Sequence, residues 1–143
     1  PILGDPFDCT GIGIVKSTDG GATWGAVQLL GTSKSIRSIF VNPTSPATVL
    51  VSTNAGLFRS TDSGTSYTAV ASIPATYVCW DLAWAGGTNM VLTAETDPTN
   101  TAGTAGKIFR STDGGATWVA ATGTAATATR ISVGSAPSNR QML

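Results

Sequence analysis

Histidine is absent from the 143 residues of this chain, and charged side chains make up only 11% of them. Without histidine, these residues supply no Ser-His-Asp triad, no histidine zinc ligand and no histidine general base. Eight basic residues balance eight acidic ones, so the chain lacks the basic excess that nucleic acids and anionic membrane surfaces require. The composition therefore excludes several catalytic classes and predicts no nucleic-acid partner.

Cysteines and long apolar runs are also scarce. Cys9 and Cys79 are too few for a disulfide framework, and they predict either two separate thiols or one bond formed in an oxidising compartment. No run reaches the length of a transmembrane helix, so we expect no membrane insertion. No leader is visible before Pro1, which indicates a processed protein or a piece of a longer one. The polar, Thr-rich composition favours an extracellular or cell-surface location.

One short phrase is present three times and organises the chain. It reads Lys16-Ser-Thr-Asp-Gly-Gly-Ala-Thr-Trp24 in repeat 1 (residues 16–24), Arg59-Ser-Thr-Asp-Ser-Gly-Thr-Ser-Tyr67 in repeat 2 (59–67), and Arg110-Ser-Thr-Asp-Gly-Gly-Ala-Thr-Trp118 in repeat 3 (110–118). A period of about 45 residues built on strand and turn residues predicts a stack of small sheets.

Alternating apolar residues and turn signals predict four strands around repeat 2 and four more around repeat 3. The predicted strands are residues 35–41, 48–53, 57–60 and 67–71, followed by 77–85, 89–94, 107–111 and 118–122. Four short antiparallel strands per repeat are typical of a β-propeller blade, whose faces pack on neighbouring blades. The sequence therefore predicts an all-β fold.

We predict a single β-propeller segment over residues 1–143, with about three blades' worth of strands. Its parts are a half blade with repeat 1 (1–34), a full blade (35–76), a full blade with an insertion at 95–106 (77–128) and the start of the next blade (129–143). Propellers usually have four to eight blades. We expect the remaining blades to come from the same, longer chain or from a second copy that closes the ring head to tail.

The repeated phrase has the chemistry of a self-bonded hairpin turn. An aspartate in a turn accepts backbone N–H groups a few residues on, and glycine supplies the backbone freedom of a tight reversal. The aromatic residue at the end of the phrase presents a large apolar face to an adjoining blade. These features predict a structural role for the phrase.

The phrase resembles the Asp-box, or bacterial neuraminidase repeat, of sialidases, xyloglucanase-type glycoside hydrolases, sortilin-type receptors and photosystem II assembly factors. The match is complete in repeats 1 and 3, at Ser17, Asp19, Gly21, Thr23, Trp24, Ser111, Asp113, Gly115, Thr117 and Trp118. Repeat 2 keeps Ser60, Asp62 and Gly64 but has Ser66 and Tyr67, which predicts a looser turn.

The resemblance implies that the boxes lie between the third and fourth strands of a blade, away from the active face. It therefore implies that Asp19, Asp62 and Asp113 are structural rather than catalytic. It does not extend to the sialidase signature, because Ile73-Pro74 is preceded by Ser72 instead of an arginine.

Three other carboxylates are candidates for glycoside hydrolysis, which needs two carboxyl groups roughly 5 to 9 Å apart. Asp81 lies near the start of an inner strand, and Glu95 and Asp97 lie in the insertion, on the face opposite the boxes. The alternatives are an ion pair of Asp81 with Arg130 in the next blade, and solvated charges or Ca²⁺ ligands in the insertion. We expect no other cofactor.

Aromatic residues offer a binding site as the alternative to catalysis. Trp80 and Trp84 share one strand and one side, where they either stack on sugar rings or a partner, or pack between blades. The candidate ligand-binding residues are Trp80, Trp84, Glu95, Asp97 and Asn100.

We therefore expect a non-catalytic extracellular propeller that acts as a scaffold or recognition module for protein or polysaccharide. The first alternative is a segment of a secreted glycoside hydrolase, xyloglucanase-like rather than sialidase-like. The second alternative is a structural subunit of a surface assembly.

Overall fold

The computed structural model describes residues 13–32, 34–96, 106–122 and 132–134. The strands in this part of the chain form two four-stranded antiparallel sheets in which spatial order follows chain order. The first sheet contains β1 (Ile36–Val41), β2 (Val49–Thr53), β3 (Gly56–Ser60) and β4 (Thr68–Ala69). The second sheet contains β5 (Val78–Gly86), β6 (Asn89–Glu95), β7 (Gly106–Ser111) and β8 (Val119–Ala120). The predicted all-β fold with four strands per unit is confirmed.

The described residues contain no helix, and hence none long and apolar enough to cross a membrane. Residues 13–30 form an N-terminal hairpin instead. Ile14 and Gln28 exchange two backbone hydrogen bonds of 2.9 and 2.7 Å, and the Gly25 N–H donates to the Lys16 carbonyl at 2.8 Å. Repeat 1 therefore lies between two antiparallel segments, as repeats 2 and 3 do.

Burial explains why the second strand of each sheet is nearly continuous in apolar and small polar residues. All five residues of β2 are buried, and so are six of the seven in β6. Both faces of these strands are therefore covered, which favours Val, Leu and Thr over an alternating pattern. The fourth strands are exposed and only two residues long, shorter than the sequence predicted. Their length is set by how far they pair with the third strands: two residue pairs join β4 to β3, and two join β8 to β7.

The main hydrophobic core lies between the two sheets rather than within either. From the first sheet and the loop after it come Leu50, Leu57, Val70 and Ile73; from the second come Cys79, Leu82, Met90, Leu92, Ala94, Phe109 and Trp118. A smaller cluster joins Val49 and Val51 of the first sheet to Ile14 and Leu30 of the N-terminal hairpin. Each sheet therefore depends on its neighbours to bury its faces.

Cys79 is a free thiol, fully buried in this core. Burial raises the pKa of the Cys79 thiol to about 12. Cys9 lies outside the described residues, as do most residues of the predicted blade start at 129–143.

Candidate functional site

The three repeats close with the same set of side-chain hydrogen bonds. The first serine donates to aspartate Oδ1 and accepts the N–H of the glycine four residues on. In repeat 1, Ser17 Oγ lies 2.8 Å from Asp19 Oδ1 and 2.7 Å from the Gly21 nitrogen. In repeat 2, Ser60 Oγ lies 2.7 Å from Asp62 Oδ1 and 2.8 Å from the Gly64 nitrogen. In repeat 3, Ser111 Oγ lies 2.8 Å from Asp113 Oδ1 and 2.9 Å from the Gly115 nitrogen. Each carboxylate also accepts both the N–H and the hydroxyl of the residue four positions on, namely Thr23, Ser66 and Thr117.

The prediction of a looser turn in repeat 2 was wrong. The Ser66 N–H donates to Asp62 Oδ1 at 2.9 Å, and the Ser66 hydroxyl donates to Oδ2 at 2.6 Å. The turn requires a hydroxyl at this position, and serine supplies it as well as threonine does.

These bonds stabilise the ionised carboxylates. Donors led by the hydroxyl four residues on lower the pKa of Asp19 to about 2 and hold the pKa of Asp62 below its usual range. Burial acts to raise the pKa of Asp113, but the bonds from Thr117 and from the serine of the turn outweigh it and lower that pKa to about 2. A carboxylate ionised this firmly is a poor general acid near neutral pH. The geometry thus supports a structural role for the three aspartates.

Backbone bonds show at which end of each sheet the repeats lie. The Ser63 N–H in repeat 2 donates to the Ala47 carbonyl in the β1–β2 turn at 2.9 Å. The Gly114 N–H in repeat 3 donates to Thr88 in the β5–β6 turn, also at 2.9 Å. The connections from β2 to β3 and from β6 to β7 therefore leave the opposite end of the sheets.

Gly115 in repeat 3 lies directly against the first sheet. A Cβ added to Gly115 would lie 2.7 Å from Leu50 Cδ1 and 3.0 Å from Cδ2, closer than real Cβ atoms approach. Its φ of +81° is also in the left-handed region that glycine favours. Trp118 strengthens the same contact, since it is only 5% exposed and its backbone N–H donates to Ser72 Oγ at 3.0 Å. Repeat 3 therefore holds the two sheets together.

The inner strands carry one irregularity at equivalent positions. The β1–β2 register skips Arg37, and the β5–β6 register skips Trp80. Such β-bulges re-aim a side chain and often lie beside functional sites. The Arg37 guanidinium lies over the Trp80 ring, 4.7 Å from the ring centroid, and Arg37 is exposed. The two bulges thus bring a cation and an aromatic ring together on the inner strands, at the end opposite the repeats.

Arg37 was missed by the sequence analysis, although an alignment of the inner strands contains the signal. Ser38 pairs with Ser52 and Asp81 pairs with Thr93, so the residues before them, Arg37 and Trp80, occupy equivalent positions. Neither residue type alone predicts that they stack.

The structure separates the two tryptophans that were predicted together. Trp84 packs against the core between the sheets, and its Nε1 donates to the Gly87 carbonyl at 2.9 Å. Trp80 lies near the start of β5, under the Arg37 guanidinium. Both side chains are half-buried, Trp84 against the core and Trp80 under Arg37 of the first sheet.

Asp81 makes contacts that stabilise the fold. Its Oδ1 accepts the Leu82 N–H at 3.0 Å, and its Oδ2 accepts the Val133 N–H at 3.4 Å. The carboxylate therefore joins the second sheet to the segment at residues 132–134. Arg130, its predicted ion-pair partner, lies outside the described residues.

Glu95 ends β6 in a buried position, 6% exposed, opposite Val78. Because Asp81 lies opposite Thr93, two residues before Glu95, both carboxylates belong to the same face of the second sheet. Asp97 and Asn100 lie outside the described residues, so the predicted acid–base pair and the Ca²⁺ site at 95–106 stay predictions. Among the residues that the structure describes, no cluster of three or more carboxylate or thiol ligands is present.

Comparison with known proteins agrees with this fold. The chain resembles the crystal structure of an ancestral GH74 enzyme with a TM-score of 0.71 and 23% identity, covering 88% of this chain and 17% of that one. YCF48 from Cyanidioschyzon merolae has a TM-score of 0.46 and 16% identity, covering 64% of this chain and 24% of that one. The two described sheets are successive blades of a β-propeller.

A similarity in sequence points to a particular kind of relative. A xyloglucanase of Hypocrea jecorina (strain QM6a) is 34% identical over 102 residues, which cover 71% of this chain and 12% of that protein. No protein-family model matches the chain. The chain therefore spans only a small part of the length of the relatives it resembles.

Proposed function

We propose that this chain is a segment of a secreted glycoside hydrolase whose propeller acts on xyloglucan-type polysaccharides. The observation that carries the proposal is the 34% identity over 102 residues to a xyloglucanase. The likeness to a GH74 enzyme supports it through the shared fold. The comparisons favour this alternative over the expected non-catalytic recognition module.

The segment's first contribution is blade structure. Its three self-bonded turns and the core between its sheets account for Asp19, Asp62 and Asp113 without catalysis. Asp81 and Glu95 are engaged in or buried against the second sheet. We infer that the catalytic carboxylates lie in the loop that contains Asp97 or in other blades of the polypeptide.

The second contribution of the segment is a sugar contact at Arg37 and Trp80, near the starts of the inner strands β1 and β5. The exposed guanidinium of Arg37, held over the Trp80 ring, carries five N–H donors that suit hydroxyl groups. Among the described residues no carboxylate forms an ion pair with Arg37, whose guanidinium lies over the Trp80 ring. This pair is suited to an uncharged, hydroxyl-rich chain that lies along the inner strands.

The test is a chimaera in which the matching stretch of the Hypocrea xyloglucanase is replaced by this chain's residues. We expect a folded chimaera to release reducing ends from xyloglucan. A chimaera that melts cooperatively but has lost hydrolysis would contradict the proposal, because a true hydrolase segment preserves the substrate-facing wall.

The proposed sugar contact at Arg37 is tested by a matched pair of variants in the chimaera. Arg37→Met removes the donors and should raise KM roughly tenfold, as expected for the loss of one or two hydrogen bonds. Arg110→Met removes an exposed arginine on β7 and should leave KM unchanged. Equal effects of the two substitutions would argue against a sugar contact at Arg37.

A further inference from the structure

The contact between Arg37 and Trp80 depends on the bulges that present these two side chains. Strict alternation along β1 would place Arg37 on the same side as Ile39, which lines the surface beside the N-terminal hairpin. The register shift between Ile36 and Ser38 turns Arg37 towards the second sheet instead, with its guanidinium 4.7 Å from the centroid of the Trp80 ring. The contact therefore requires that the backbone at both bulges be held in one conformation.

The peptide bond that joins Trp80 to Asp81 is held from both sides. A β-bulge leaves its extra residue outside the ladder, and buried backbone groups need other partners. The Trp80 carbonyl accepts the hydroxyl of Ser52 in the first sheet at 3.3 Å. The Asp81 N–H donates to Thr93 Oγ1 in the second sheet at 3.2 Å. One hydroxyl from each sheet thus fixes the peptide that follows Trp80.

The two hydroxyl groups occupy equivalent and fully buried positions. Ser52 and Thr93 are both 0% exposed, and they lie opposite Ser38 and Asp81, the residues that follow the two bulges. Ser52 Oγ also lies 3.4 Å from the Ser38 carbonyl oxygen, so that its single proton serves the bulges of both sheets. Burying a hydroxyl is unfavourable unless it is bonded, and here the bonds go to the bulges.

We propose that Ser52 and Thr93 are positioning residues that hold Arg37 and Trp80 in the geometry in which they meet. Ser52 fixes the Trp80 carbonyl relative to the first sheet, which carries Arg37, and Thr93 fixes the next N–H relative to β6. Together they set the position of the indole ring under the guanidinium. Their role in sugar binding rests on the proposed function, whereas their role in the contact of Arg37 with Trp80 does not.

NMR of the isotope-labelled 143-residue chain measures this geometry. The ring current of Trp80 should shift the side-chain protons of Arg37 upfield, and a Trp80→Leu chain gives their unshifted positions. Thr93→Val keeps the shape of the side chain but removes the oxygen that accepts the Asp81 N–H, so most of the upfield shift should be lost. Ser52→Ala should have the same effect from the other side of the peptide.

Thr53→Val is the matched control for Thr93→Val. Thr53 is also fully buried, but its hydroxyl donates to the Gly56 carbonyl at 2.8 Å, within the turn between β2 and β3. We expect this variant to lose comparable stability in urea unfolding without moving the Arg37 signals. Thr93→Ser keeps the hydroxyl and should keep the upfield shift.

Kinetics of the chimaera test the consequence for the sugar. Ser52→Ala and Thr93→Val should raise KM for xyloglucan and leave kcat unchanged, because the contact positions substrate without touching the reacting atoms. Neither substitution should have a further effect in a chimaera that already carries Arg37→Met. Thr53→Val should leave both constants unchanged.

Two results would overturn the positioning role. One is an upfield shift of Arg37 that survives both Ser52→Ala and Thr93→Val, and the other is an equal loss of that shift in Thr53→Val. A different result would overturn the sugar contact alone: the shift responds as expected, yet neither Arg37→Met nor Ser52→Ala changes KM. The failure of each proposal therefore has its own readout.

Discussion

Each repeat turn holds an ionised aspartate with donors from within its own nine residues. The carboxylate accepts an N–H and a hydroxyl from the residue four positions on, as Asp113 does from Thr117. Because the bonds are made to the charged form, they link the protonation of the turns to the stability of the fold.

This linkage predicts that the chain loses stability in acid. The pKa values of Asp19 and Asp113 are lowered from 3.8 to about 2 in the folded state. Their stabilising contribution is therefore complete above the unfolded value near 3.8 and is lost as pH falls through the folded value of about 2. We expect the free energy of unfolding, measured with urea, to decline between about pH 4 and about pH 2.

The control is Asp113→Asn, which removes one titrating group together with its bonds. We expect this variant to be less stable than the parent at about pH 5 and to show a shallower acid decline. An equally steep decline would show that the turn aspartates do not dominate acid unfolding.

At the scale of the elements, repeat 3 packs directly on β2 of the neighbouring sheet. Gly115 is required there for two reasons, its φ of +81° and the 2.7 Å from its Cβ position to Leu50 Cδ1. Gly114, beside it, has a similar φ of +70° but only Asn42 Nδ2 near its Cβ position, at 4.0 Å. Comparing substitutions at these two neighbouring glycines therefore separates the cost of backbone strain from the cost of crowding.

We predict that Gly115→Ala destabilises the chain more than Gly114→Ala does. Both substitutions cost backbone strain, and crowding against Leu50 adds roughly 1 to 3 kcal/mol in the first. Denaturant unfolding of the two variants gives the difference directly. If Leu50→Ala relieves the excess in a double-mutant cycle, the crowding is assigned to that side chain; equal losses in the two glycine variants would contradict it.

The elements themselves were predictable because their signals are local. Alternation in residues 35–41 and the turn at residues 54–55 lie within a few residues of the strands they define, and the structure places strands there. The length of β4 was not predictable, since it depends on pairing with β3 and not on its own residues. The stack of Arg37 on Trp80 could not be predicted from the alternation of apolar residues either, because it depends on one extra residue in each of two strands.

In the molecule as a whole, the described core lies between sheets, so neither sheet is a separate stability unit. Leu50 of the first sheet and Met90, Leu92 and Trp118 of the second bury one another. A defect on either side should therefore weaken both sheets together.

Leu50→Ala tests this coupling. We expect it to cost about 2 to 5 kcal/mol, as for other buried leucines, and to lower amide protection in β6 as much as in β2. Native-state hydrogen exchange measures both strands in one experiment. Ile39→Ala, at a side chain that is 50% exposed, should change neither strand appreciably. Unchanged protection in β6 of the Leu50 variant would show that the sheets unfold independently.

The contact of Leu50 with Gly115 also has a consequence for geometry. Consecutive blades form a wedge, and a ring closes only when the wedge angles add up to a full turn. A hydrogen atom in place of a side chain at position 115 lets the repeat end of one blade approach its neighbour to contact distance. A side chain at that position would open the wedge, and the change in angle would be multiplied by the number of blades. The small residue at position 115 thus bears on the angle between these two blades, and with it on the curvature of an array of such blades.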